Sequence, residues 1–86
     1  MNSLYRYKFI ATLKDYTALK DAFGAHVKRL RQSKNLSLVQ VDQNCELDES
    51  NISKIENGKV NVQLSTIFEL AKGLGVEPKE LLDFKI

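Results

Sequence analysis

The chain has 86 residues, 43% of them hydrophobic and 28% charged, with no tryptophan, one cysteine and a formal net charge of +2. That length fits one domain with an economical core, and a single cysteine excludes an internal disulfide, which suits a reducing cytoplasm. No run of roughly eighteen apolar residues offers a transmembrane span, and no apolar segment ahead of a small-residue cleavage site offers a signal peptide.

The charge is unevenly spread. Residues 1–35 carry eight Lys/Arg against two Asp, whereas residues 36–62 carry two Lys against five acids, and residues 63–86 three Lys against four acids. A basic first third points to an anionic partner, although a solvated face is the plainer reading of any charge run.

In residues 1–14, Tyr5, Tyr7 and Phe9 alternate with Arg6 and Lys8 as in an edge strand, while Phe9, Leu13 and Tyr16 equally suit a helical stripe running on to Lys20 and Phe23. Residues 1–17 are therefore set apart as an arm, available to cover the flank of the domain, to add a dimer contact or to touch phosphates. The domain proper is residues 18–86. Its first helix is expected from about Ala18 to Lys34, with Phe23, Val27 and Leu30 inward, and the Lys34–Asn35 pair ends it. His26 lacks Cys or His neighbours at ligand spacing and reads as a partly exposed helix residue, not a metal ligand.

Ser37 opens a second helix as its cap, with Gln40 three residues on to complete a capping box. Val41 and Cys45 face inward, Cys45 as a small apolar residue and not a reactive thiol. Next comes the stretch around which the chain is organised, Leu47 to Gly58. Asp48 is an N-cap whose charge, with that of Glu49, complements the helix dipole. Ile52 and Ile55 anchor one side, Leu47 staples the entry and Gly58 supplies the stop. Glu49, Ser50, Ser53, Lys54 and Asn57 are left pointing outward. So short a helix needs a scaffold, and its polar outer face is a candidate reading surface.

A fourth helix is expected from about Gln63 to Gly73, with Leu64, Ile67, Phe68, Ala71 and Leu74 as its inner face and Gly75 as its end. Pro78 then starts a fifth, short helix, followed by the apolar tail Leu81, Leu82, Phe84 and Ile86, which is either core or interface. The reading is all-α, five short helices.

Two short helices joined by a three-residue turn, the second polar on its outer face, suggest a helix-turn-helix. The sequence here resembles the XRE family, the lambda-repressor-like domain shared with Cro and phage repressors. The matching pieces are Phe-Gly-x-x-Val-Lys-x-Leu-Arg (23–31), Leu36-Ser37, Ile-Ser-Lys-Ile-Glu-Asn-Gly (52–58) and Leu-x-x-Ile-x-x-Leu-Ala-Lys-x-Leu-Gly-Val (64–76), within residues 23–84. The resemblance implies that helix three enters the major groove of double-stranded DNA while helix two lies across the backbone. It implies that Glu49, Ser50 and Lys54 read base edges with Asn51 nearby, that Ser37 and Leu38 meet phosphate, and that Asn57 and Lys59 grip the other flank. It further implies an ion pair between Arg31 and Glu56. The sequence departs from the family at Leu38, where glutamine is frequent, at Asp42, where a small residue is usual, and at Glu46, which replaces the turn glycine.

The expected function is a sequence-specific transcription regulator binding an operator as a homodimer, a restriction-modification controller or a phage-like repressor both fitting the size. The alternative is a protein-interaction module, an antitoxin or regulator partner, kept open by Asp48, Glu49 and the apolar C-terminus. An enzyme is not expected: the chain has one His, one Cys, no metal-ligand cluster and no phosphate-cradling glycine loop. Nor is a cofactor, a small-molecule ligand or a membrane partner.

Overall fold

The computed structural model describes residues 16–86; the strand-like and helical readings of residues 1–14 lie outside them. Among the described residues there are four α-helices, α1 (Thr17–Ser33), α2 (Leu38–Gln43), α3 (Glu49–Glu56) and α4 (Leu64–Leu74), then a 3-10 helix, Pro78–Leu82. The fifth helix expected at Pro78 is thus a 3-10 turn and not an α-helix. Its bonds run from Glu80 N–H to Glu77 O and from Asp83 N–H to Glu80 O, three residues apart. Five residues starting on a proline leave room for little else.

The helix ends follow from local chemistry. Ser37 Oγ accepts from Gln40 N–H while Gln40 Oε1 accepts from Ser37 N–H, closing the capping box on α2. Three C-termini turn through left-handed residues, at Asn35, Gly58 and Gly75. At Gly58 the reason is double: φ is 69°, and a Cβ there would run into Asp21 of α1.

The core is built from all five elements: Phe23 and Val27 of α1, Val41 of α2, Ile52 and Ile55 of α3, Leu70, Ala71 and Leu74 of α4, and Leu81 of the 3-10 helix. Val27, Val41, Ile52, Leu70 and Leu81 are almost wholly buried, each contributing roughly 1.5–3 kcal/mol through removal from water. Helix α1 crosses α3 at Gly24, where an added Cβ would strike the carbonyl oxygens of Ile55 and Glu56. That glycine lets the two helices touch backbone to backbone.

The expected inner face of α4 is corrected. Leu64 and Phe68 do not face inward; they are 71% and 55% exposed, and Leu70 is buried in their place. Helix α4 is apolar around much of its circumference, so its row of apolar spacings fits either side, and packing selects Ile67, Leu70, Ala71 and Leu74. The C-terminal tail is split in the same way. Leu81 is core, Phe84 packs against Phe23 with ring centroids 5.8 Å apart, and Leu82 and Ile86 are exposed. His26, expected as a partly exposed helix residue, is half-buried; its ring lies 5.5 Å from that of Phe84, and its Nε2 is 2.6 Å from Glu80 O. It ties the tail down.

Candidate nucleic-acid interface

Helix α3 is held at its start by two carboxylates. Asp48 Oδ1 accepts from Asn51 N–H at 2.7 Å, the cap expected from the sequence. Asp42 Oδ2, from α2, accepts from Glu49 N–H at 3.0 Å. The second contact was not anticipated, because Asp42 was read only as a departure from a small residue. At its far end α3 closes with Gly58 N–H on Ile55 O and Lys59 N–H on Lys54 O.

Ile52, Ile55 and Glu56 are buried on one side of α3. Ser50, Lys54 and Asn57, four and three residues apart, form the opposite row, with Glu49 and Asn51 on its flanks. All five are exposed, as are Ser37 and Lys59. Leu38 differs: its side chain is half-buried and packs on the core, leaving the start of α2 to offer backbone there. Asn57 is engaged locally as well, its Nδ2 donating to Ser53 O at 2.9 Å, so part of its donor capacity caps the helix.

The orientation of α3 is fixed from behind. Arg31 Nε donates to Glu56 Oε2 at 2.7 Å, Nη2 to Glu56 Oε1 at 3.0 Å and Nη1 to Leu36 O at 2.9 Å. The side chains are only 13% and 5% exposed, and the bond to Glu56 raises the guanidinium pKa above its ordinary value. One arginine thereby joins α1, the α1–α2 loop and α3.

The α2–α3 turn has no left-handed residue; Glu46, standing where glycine was expected, is absent from the positive-φ positions. Its amide donates to Glu69 Oε1 of α4 at 2.8 Å, and Lys72 Nζ lies 3.3 Å from that same oxygen. Cys45 packs here against Gly73, and burial pushes its thiol pKa up, the reverse of what a reactive cysteine needs. Among the described residues no group of three His, Cys, Asp or Glu side chains is placed to hold a metal ion, and no helix is long and apolar enough to cross a membrane.

These two short helices, α2 and α3, the second capped at both ends and carrying an exposed polar row, lie within a match to the family described as "Helix-turn-helix domain", which spans residues 22–84. The chain belongs to that family. This helix-turn-helix protein is 46% identical over 63 residues to control protein C.BamHI of Bacillus amyloliquefaciens, covering 72% of this chain and 78% of the relative. Among solved structures it is similar to the restriction-modification controller protein C.AhdI from Aeromonas hydrophila, with a TM-score of 0.73 and 37% identity over 78% of this chain and 97% of that one. It is also similar to the controller protein C.Esp1396I, solved as a tetramer in complex with its natural 35 base-pair operator. That likeness has a TM-score of 0.65 and 25% identity, covering 76% of this chain and 96% of the other. The all-α helix-turn-helix fold of this protein is common to these regulators.

Proposed function

We propose that this protein is a sequence-specific DNA-binding transcription regulator that acts as a homodimer on an operator, within a restriction-modification control system. The observation that carries the reading is the exposed row Ser50, Lys54 and Asn57 on a helix whose other side is locked into the core by Ile52, Ile55 and the Arg31–Glu56 pair. A rigidly backed polar helix is what groove reading requires. The names of the relatives support it: C.Esp1396I is described with its operator, and C.AhdI as a controller.

In this reading α3 lies in the major groove. Lys54 donates to guanine, Ser50 or Asn51 bonds a base edge, and Glu49 accepts from a cytosine amino group. Ser37 and the backbone at Leu38 meet phosphate on one flank, Asn57 and Lys59 on the other. Residues 1–17 form an arm outside a DNA-binding domain of residues 18–86, a five-element domain of lambda-repressor type. The protein carries out no catalysis, takes no cofactor and works in the cytoplasm.

Dimerisation is supported by apolar side chains that are exposed among the described residues. Leu64, Phe68, Leu82 and Ile86 are all exposed, and Leu82 also lines an open groove with Leu19, Phe23, Val62, Ile67 and Phe84. Pairing two copies places two α3 helices on half-sites about one helical turn apart.

A second reading, a module that docks on protein, is favoured by the carboxylates of Asp48 and Glu49 at the exposed head of α3. Fluorescence anisotropy on random duplex at low and high salt separates the two. A DNA binder loses affinity steeply as salt rises, because it releases counterions from phosphates; absence of binding at low salt favours the protein-docking module.

A further inference from the structure

The turn between α2 and α3 is organised by one residue that the family pattern would not put there. Asp42 accepts at both ends of it. Its backbone carbonyl takes Cys45 N–H at 3.3 Å as the turn begins, and its carboxylate takes Glu49 N–H at 3.0 Å as α3 begins. Between these, Glu46 N–H goes to Glu69 at 2.8 Å and Leu47 N–H to Cys45 Sγ at 3.5 Å. The turn is thus held by one backbone carbonyl and three side-chain acceptors, without a glycine conformation.

Asp42 and Asp48 take different amides of α3, those of Glu49 and Asn51. Two acceptors on two amides of the first turn hold the head of the helix at two points, where Ile52 and Ile55 hold its buried side. The placement of the helix decides where Glu49, Ser50 and Lys54 point. We infer that Asp42 is a positioning residue for DNA recognition: its bond to the Glu49 amide holds the head of α3, as the Arg31–Glu56 pair holds its far end. This rests on the reading of α3 as the DNA-reading helix.

Asp42 also has a second effect of opposite sign. Its carboxylate is only half-buried and places negative charge beside the helix that approaches phosphates, which disfavours binding to any DNA. The two effects come apart in two substitutions. Asp42→Asn keeps an oxygen acceptor for the Glu49 amide and removes the charge. Asp42→Ala removes both and restores a small side chain at this position.

The test uses the site that the unaltered protein selects from a random duplex pool, and an unrelated duplex of the same length. Each variant is titrated on both, with thermal melts to establish that it is folded. Asp42→Asn is expected to bind both duplexes more tightly and to keep the ratio between them. Asp42→Ala is expected to lose roughly tenfold of that ratio, near the low end of what one good base contact contributes. An unchanged ratio in the alanine variant, or an equal loss in both variants, overturns the inference while leaving the DNA reading intact. Should the alanine variant be unfolded, the asparagine variant decides alone: a tenfold fall in its ratio overturns the inference. If the unaltered protein selects no site, both readings fall together.

Discussion

Arg31 and Glu56 meet in a two-point contact, Nε to Oε2 at 2.7 Å and Nη2 to Oε1 at 3.0 Å, on side chains almost closed off from water. Removing one member of such a pair strands the other. Arg31→Ala is therefore expected to cost on the order of 3 kcal/mol, mostly as the penalty of an unpaired buried carboxylate. Glu56→Ala should cost a similar amount, and the double variant less than the two combined. Denaturant melts of all three close the cycle. Additive losses would mean that the pair is not coupled.

Asp48 caps α3 through the Asn51 amide, so Asp48→Ala should lower stability by about 1 kcal/mol. In a domain this small that corresponds to a fall in Tm of roughly 4–8 °C. Asp48→Asn and Asp48→Ser keep a capping oxygen and should recover most of it. A thermal scan of the three variants reads the order directly.

Glu69 predicts a pH effect. Its carboxyl is held below the ordinary carboxylate range, first by accepting the Glu46 N–H and then by Lys72. A depressed folded-state value means that the contribution is fully present above the unfolded-state pKa and is lost as pH falls through the folded one. Stability measured from pH 7 down to about pH 3 should therefore fall less steeply in Glu69→Gln than in the unaltered protein. Equal slopes would show that Glu69 takes no part in the acid limb.

Much of this architecture was legible in the residues. Ser37 with Gln40, Asp48 and Gly58 are local signals, each satisfied within four residues of itself, and the structure places them as the sequence implied. What was not legible depends on partners distant in the chain. Helix α4 carries apolar residues on two sides, so spacing could not choose between Phe68 and Leu70; contact with α2 and the 3-10 helix did. Asp42 read as an anomaly because its acceptor role needs α3 placed beside it, seven residues on. The contacts of His26, with Phe84 and Glu80, were not legible because they lie more than fifty residues away.

The exposure of Phe68 and Leu64, 55% and 71%, makes them the surface on which the proposed dimer is tested. Phe68→Lys is expected to leave the monomer folded, since that side chain is not part of its core, and to shift light scattering from dimer to monomer. Binding to a two-half-site duplex should weaken in step, while binding to one half-site changes little. A variant still dimeric at low concentration would place the interface elsewhere.

Glu49 and Lys54 should part company on DNA. Lys54→Ala is expected to lose affinity for every duplex, and more for the specific one if it reads guanine. Glu49→Ala removes a carboxylate that repels phosphate except where it meets a cytosine amino group, so binding to random duplex should hold or improve while the best site weakens. Whether α3 reads DNA sequence is decided by selecting duplexes from a random pool with the unaltered protein and with Glu49→Ala. A two-fold symmetric site is expected from the unaltered protein, with half-sites about one helical turn apart, and a changed base preference at one position of each half-site from the variant. A pool that enriches no sequence, or an identical preferred site from both proteins, would contradict that role of α3.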